Sequence, residues 1–346
     1  MTTWTFDGVS LPVDKSVRLR FGAGDEERLP GRFALPGLVD AHCHLTVDAD
    51  EQGPFLAGGE AEAVARLDEL AQAGVSAVRD VGGQRAITLE LARSPREGRP
   101  VVLAAGRFLA PKGRYFPRMH DPVEADELLA AVEAELKDGA TWVKLVADFP
   151  AVGPDGPIRG SAIEASYEIG LVEQVVETAH AMGGRVAAHT NGAVVSELIR
   201  VGVDSIEHGT LISERDLEVL GARGGAWTPT LCASIDVRAG ESEERRERRL
   251  ASAKYLTSML ELADQYGVTV LTGSDAVGSV AREIALLARH GLDVTQAMAA
   301  ATTKAWDYLG LLDDGGNLVT YDEDPRERPE TLATPAAVVL HGHRIR

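Results

Sequence analysis

The sequence predicts an α/β protein: a (β/α)8 TIM barrel carrying a small β-sandwich built from both ends of the chain. Three observations predict it. Short apolar runs rich in β-branched residues alternate with amphipathic stretches of helical length, the pattern of a parallel α/β architecture. There are eight such runs, and the polar residues that interrupt them sit at their C-terminal ends, where this fold gathers its chemistry. The chain has 346 residues, which leaves room for an accessory unit beside a barrel of roughly 250.

The predicted barrel occupies residues 33–311. Its strands are Phe33–Asp40, Val75–Val81, Val101–Ala105, Trp142–Ala147, Val186–His189, Ser205–Glu207, Ala226–Leu231 and Val268–Gly273. Helices fit between them. Glu60–Ala73 places Ala61, Val64, Leu67, Leu70 and Ala71 on one face and stops at Gly74, a natural C-cap. Val123–Lys137, Ala162–Met182, Ala193–Val201, Leu250–Tyr266 and Ala281–His290 likewise run to a glycine, and Asp216–Ala222 follows a Ser213 cap. Residues 1–32 and 312–346 are short extended pieces, with strands at Trp4–Val9, Ser16–Phe21 and Ala336–Leu340 and a Pro- and charge-rich loop at Asp322–Pro335.

Bulk properties exclude several classes. Apolar residues make up 45% of the chain, enough for a large core, yet no run approaches the ~20 residues of a membrane span. The start, MTTWTFDGVS, has neither a basic nor an apolar leader segment. Two cysteines, Cys43 and Cys232, make no disulfide framework. These features predict a cytoplasmic protein without membrane contact. The net charge of −18 repels polyanions and argues against a nucleic-acid partner. The basic cluster Glu243–Arg249 is interleaved with glutamates and reads as a self-paired, solvated helix face. The expected partner is a small-molecule substrate, with a homo-oligomer left open.

The chemistry starts at Leu35-Pro36-Gly37-Leu38-Val39-Asp40-Ala41-His42-Cys43-His44, an apolar strand running into His-X-His. Alternation puts His42 and His44 on one side and Cys43 on the other, so two imidazoles can share one ion. His341-Gly342-His343 has the same spacing near the C-terminus, but no other ligand type accompanies it. Further ligand types close other strands: His189 the fifth, His208 the sixth and Asp275 the eighth. Any one could be a hydrogen-bonded strand end. Four histidines and an aspartate at four strand ends point to zinc or a similar divalent ion. Lys144 lies inside the apolar strand Thr141-Trp142-Val143-Lys144-Leu145-Val146. A buried unpaired ammonium is costly. Lys144 is therefore either paired with a carboxylate or a neutral amine that has reacted with carbon dioxide to give an anionic carbamate.

These residues resemble the amidohydrolase superfamily. The match is Gly37-Leu38-Val39-Asp40-Ala41-His42-Cys43-His44, then Lys144, His189, His208 and Asp275, in that order and on those strands. It covers nearly the whole chain. Ala300-Ala301-Thr302-Thr303-Lys304-Ala305 with Leu309-Gly310 resembles the family's segment after strand eight, and the terminal pieces its small β-sandwich. Within the superfamily the chain is similar to the imidazolonepropionase-related branch, and more closely to binuclear members with a strand-four lysine. That group includes Xaa-Pro dipeptidases and carboxypeptidases acting on N-acylated or dipeptide substrates.

The resemblance implies two divalent ions, zinc in first place. His42, His44 and Asp275 would hold one, His189 and His208 the other, and carboxylated Lys144 would bridge them. It implies hydrolysis of an amide (a peptide, an N-acyl amino acid or a cyclic amide) by a metal-bridging hydroxide, with Asp275 as general base and then general acid. Ester, lactone or organophosphate hydrolysis and a biosynthetic cyclisation or dehydration are the alternatives; a barrel scaffold without activity would not keep all six positions filled. Asp40 is expected either to orient His42 or His44 or to be a structural strand-end carboxylate. The loops after strands three and eight, Ala110–Phe116 and Asp275–Ser279, depart from the usual Gly-Gly-His and longer Gly/His-containing patterns, which leaves the substrate open. Candidates for gripping a substrate carboxylate are Arg107, Lys112, Arg114, Tyr115, Arg118 and His120. His180 and His290 read as structural.

Overall fold

The computed structural model describes residues 2–48, 56–154, 156–158, 160–237, 240–312 and 315–346. Eight parallel strands form the centre: β1 (Leu38–Cys43), β2 (Val75–Asp80), β3 (Val101–Ala104), β4 (Trp142–Val146), β5 (Arg185–Thr190), β6 (Ser205–His208), β7 (Ala226–Thr228) and β8 (Thr269–Val270). Each pairs in parallel with the next, β1 to β2 to β3 and β4 through to β8. Two joins close the ring. Between β3 and β4, Thr141 N donates to Ala104 O at 3.2 Å, and the short strand Phe108–Leu109 pairs with β4. Between β8 and β1, Ala41 N donates to Thr272 O at 2.9 Å and Asp275 N to His42 O at 2.8 Å. The molecule is a TIM barrel.

Along β4 the two-residue period is exact: Val143 and Leu145 join the outer core beneath the helices, while Trp142 faces the barrel interior. The interior is lined by alanines (Ala41, Ala77, Ala187 and Ala226) because two large side chains occupy it. Arg79 lies over the Trp142 ring at 4.4 Å, and Arg185 lies 4.4 Å from the same ring. Trp306 closes the N-terminal end, its Nε1 donating to Gly37 O at 3.0 Å.

Several predicted elements differ in extent. The run Phe33–Asp40 is two strands: Phe33–Leu35 pairs with Val9–Ser10 and with Val319–Tyr321, and the barrel strand starts at Leu38. Pro36-Gly37 makes the turn, and a Cβ on Gly37 would lie 2.3 Å from Ser76 Oγ, so only glycine lets the chain pass. The segment starting at Ala162 first makes a strand, Ile163–Ala165, antiparallel to Asp148–Pro150; its helix begins at Ile169. The helix before β4 starts at Leu128 rather than Val123, and β7 ends at Thr228 before a helical turn, Leu231–Ser234. A helix at Arg85–Arg93 was not predicted: Ile87, Leu89 and Leu91 alternate as in a strand, and the segment is short. The Glu243–Arg249 cluster opens a helix of 23 residues, Glu243–Gln265, with Arg248 facing Glu244 at 3.8 Å.

The two ends of the chain meet in one seven-stranded sheet. Lys15–Gly22, Thr2–Ser10, Phe33–Leu35, Leu318–Tyr321, Ala337–Leu340 and His343–Arg344 lie side by side, with Asp25–Arg28 also on Thr2–Ser10. Trp4, Phe6, Leu29, Leu318 and Val339 form its buried side. His343 is exposed in this sheet, 3.9 Å from Glu97, and His341 contacts Ser76 O at 3.3 Å, so the second His-X-His lies apart from the strand-end histidines. Among the described residues no helix is long and apolar enough to cross a membrane.

Candidate metal centre

The backbone at three strand ends departs from regular β-structure, and those departures aim the candidate ligands. On β1, Val39 and Ala41 face the interior while Cys43 belongs to the outer core. Strict alternation would therefore send His42 and His44 outward. The register against β2 shifts between Asp40 and Cys43, and this irregularity changes the phase so that both histidines turn inward. On β6, Ile206 packs outward, and His208 has the same parity. His208 adopts a left-handed φ of 65°, which brings it to the same site as its neighbour Glu207. Asp275 follows β8 with φ 55°, and Thr230 follows β7 with φ 46°. Three non-glycine residues in this sparsely populated region, each costing of order 1–3 kcal/mol, mark a functional site.

The histidines form a chain of rings. Centroids of His44 and His42 are 5.2 Å apart, His42 and His208 5.0 Å, His208 and His189 4.5 Å. One ligand atom each of His42, His44 and Asp275 lies within 4.8 Å of the others, and His44 Nε2 is 3.6 Å from Asp275 Oδ1. Three rings are oriented from behind through Nδ1: His42 to Glu207 Oε2 at 2.6 Å, His44 to Gly82 O at 2.8 Å, His208 to Thr230 Oγ1 at 2.6 Å. A partner on Nδ1 leaves Nε2 for an ion. His189 Nε2 has Asn191 Nδ2 at 3.3 Å.

Electrostatics agree with that assignment. Burial pushes every one of these imidazoles below its usual range: His44 to about 4, His208 to about 3, and His42 and His189 far down, with the charge of Lys144 adding to the effect on His42 and His189. All four are therefore neutral near pH 7, the form that binds a cation. Lys144 is 1% exposed, and among the described residues neither its Nζ nor His42 Nε2 has a hydrogen-bond partner. Burial lowers the Lys144 amine to about 8, while Glu207 and Asp275 oppose the fall.

Glu207 and Arg79 were not singled out from the sequence. Glu207 Oε1 accepts from Arg79 Nη2 at 2.7 Å and from Ser205 Oγ at 2.5 Å, and both Glu207 and Arg79 are fully buried. The available signal was a charged residue at an inward position of an apolar strand, the same signal that marked Lys144. Asp40 does not orient a histidine ring: it accepts from Ser274 Oγ at 2.5 Å, Ser274 N at 3.0 Å and His42 N at 3.3 Å, and so ties β1 to the end of β8. Glu207 has the orienting position expected of Asp40.

A cavity of about 340 Å³ opens over the site, with His44, His189, His208 and Asp275 on its floor. Of the residues expected to grip a substrate, Tyr115 lines it, stacked near Phe108, Phe149 and His189 at 4.8, 5.0 and 5.9 Å. Arg107, Arg114 and His120 do not. Arg107 donates to the buried Glu135 at 2.6 Å, which also holds Arg85. Arg114 reaches Phe149 O and Glu164. His120 Nδ1 donates to Phe116 O at 3.0 Å and, with Arg118, the residue lines a separate cavity of about 280 Å³. Lys112 is exposed. His180 pairs with Asp204 at 2.9 Å and His290 with Thr257 at 3.0 Å, both structural.

The sequence profile of the amidohydrolase family matches residues 33–319. An uncharacterized protein of Mycobacterium tuberculosis is 30% identical over 95% of this chain and 90% of its own length. An imidazolonepropionase of Micrococcus luteus is 28% identical over 60% of this chain and 55% of its own. A Xaa-Pro dipeptidase crystallised with methionine in its active site has the same fold, with a TM-score of 0.80 over 99% of both chains at 21% identity.

Proposed function

This chain belongs to the amidohydrolase family, whose members are metal-dependent hydrolases, and on that premise we propose that it hydrolyses an amide at a binuclear centre formed by His42, His44, Lys144, His189, His208 and Asp275. The observation that carries the proposal is the pair of buried nitrogens, His42 Nε2 and Lys144 Nζ, that have no hydrogen-bond partner among the described residues and lie among three further inward imidazoles and a carboxylate. A buried polar group without a partner costs about 1–3 kcal/mol. Two at one point fit a site built for something else. The donor set of imidazole and carboxylate fits zinc or a similar divalent ion.

His42, His44 and Asp275 would hold one ion, His189 and His208 the second. Lys144 would serve both after its amine attacks carbon dioxide, forms an N–C bond and releases one proton. Bound divalent ions supply Lewis acidity and an ionised water near neutral pH. The chain supplies the rest. Asp275, at the cavity floor with Oδ1 accepting from Ala276 N at 2.7 Å, takes the proton from the attacking water and returns it to the leaving nitrogen. Burial holds the Tyr115 phenol far above its usual pKa, so it stays protonated and acts by hydrogen bonding and packing. The aromatic wall excludes water from the scissile bond.

The test is metal analysis and native intact mass of the purified protein, with turnover measured on amides, esters and lactones. The expected result is two divalent ions per chain, carbon dioxide added at Lys144, and amide cleavage lost with the metal. A metal-free, folded sample with full activity would overturn the reading, and a bare Lys144 amine in fully metallated protein would remove the bridge.

A further inference from the structure

The cavity over the site says which side of the family's amide chemistry this chain takes. Its wall is aromatic and thioether carbon from Tyr115, Phe116, Met119 and Phe149, and its polar lining beyond the candidate ligands is the neutral set Asn191, Thr210 and Ser234. Among the described residues no lysine or arginine lines it. The cations near this wall are turned elsewhere: Arg118 lines a separate cavity, Lys112 is exposed, and Arg249 pairs with Glu241 and donates to Ala233 O at 2.7 Å. Arg107 and Arg85 neutralise buried Glu135, and Arg114 is engaged by Glu164 and Phe149 O. Arg66, beneath the β1 end, is spent on the carbonyls of His44, Leu45 and Val47 and on Asp48.

In an N-acyl amino acid or a free dipeptide the α-carboxylate lies two bonds from the scissile nitrogen. It must enter the same cavity as the bond that breaks. Here it would be desolvated against aromatic carbon beside the Asp275 carboxylate, with no lysine or arginine of the described residues lining the cavity to meet it. An unpaired buried charge is far costlier than a buried neutral group. The chain's net charge of −18 also opposes the approach of an anion.

We propose that the substrate is an uncharged amide bearing an aryl or alkyl group beside the scissile bond, and that free α-carboxylates are excluded. This rests on the hydrolase reading of the same site and narrows it. The wall provides aromatic stacking for the apolar group, and Asn191 and Thr210 provide hydrogen bonds without charge.

The test compares N-acyl-L-phenylalanine with N-acyl-2-phenylethylamine, which share the scissile amide and differ by the carboxylate alone. Metal-loaded protein is expected to show at least tenfold higher kcat/KM on the neutral compound. Ser234→Arg, which brings a cation into the cavity, is expected to raise kcat/KM on the acid and narrow the gap. Equal rates, or a preference for the acid, would overturn the proposal. Calorimetric titration of both compounds onto metal-free protein separates it from the reading it rests on. Tighter binding of the neutral compound with no turnover of either sinks the hydrolase assignment and keeps the cavity's selectivity; tighter binding of the acid sinks the selectivity.

Discussion

Replacing Glu207 by glutamine tests whether the buried charge network behind His42 holds the candidate site. Glu207 accepts three hydrogen bonds inside the barrel: from His42 Nδ1 at 2.6 Å, Arg79 Nη2 at 2.7 Å and Ser205 Oγ at 2.5 Å. The variant keeps the shape and removes the charge. Arg79 would then stay fully buried with neutral partners alone, namely Ala41 O, Ser205, Thr228 and the Trp142 face. Removing one member of a buried ion pair costs about 3–5 kcal/mol. That is a large share of the roughly 5–15 kcal/mol of a typical domain, and a shift of about 4–7 °C in Tm for a chain of this size. A second effect falls on His42, which loses the carboxylate that fixes its tautomer; such losses lower metal affinity about 10–100-fold.

The assay is denaturant unfolding of metal-free wild type, Glu207→Gln, Arg79→Met and the double variant, followed by Zn2+ competition against a chelating dye. The double variant is expected to recover about half or more of the loss, because it removes both charges together. Strictly additive losses would refute the pairing argument. Zn2+ affinity of Glu207→Gln within threefold of wild type would refute the orienting role of Glu207.

Two further outcomes follow from the same physics. Glu283 is buried and accepts from Leu231 N at 2.7 Å and Cys232 N at 2.9 Å, and burial raises its carboxyl from 4.5 to about 7. A carboxyl whose folded value is raised favours folding most below its unfolded pKa and loses that advantage as pH climbs through the folded one. Relative to Glu283→Gln, wild type should therefore lose about 3 kcal/mol of stability between pH 4.5 and 7, measured as the difference between paired unfolding curves; parallel curves would remove the burial argument. Gly37→Ala should cost about 1–3 kcal/mol by overpacking, since its Cβ would meet Ser76 Oγ at 2.3 Å and Ser76 Cβ at 2.4 Å, and Ser76→Gly in the same chain should return most of it.

Much of the barrel was legible because strand and helix periods differ and because glycines punctuate the helix ends. The elements that were misjudged share a cause: local pattern cannot see partners. Phe33–Leu35 and Leu38–Cys43 are one apolar run, yet the first pairs in the terminal sheet and the second in the barrel. Arg85–Arg93 alternates like a strand but packs as a helix against β3. The arginines of the strand-three loop looked available for a substrate because their carboxylate partners come from elsewhere: Glu135 from the helix Leu128–Lys137, and Glu164 from the strand Ile163–Ala165.

The sequence by itself determined the fold class and the kinds of side chain at the strand ends, since apolar period, glycine placement and ligand chemistry are local properties of the chain. Tertiary structure alone decided their aim. Even residues of β1 reach the interior because the register shifts between Asp40 and Cys43, and His208 faces the site beside Glu207 because its backbone is left-handed. It also decided that Glu207, rather than Asp40, stands behind His42, and that the loop arginines turn from the cavity. The reason is physical: which way a side chain points at the end of a strand depends on the neighbouring strand's hydrogen bonds, and those join residues far apart in the chain.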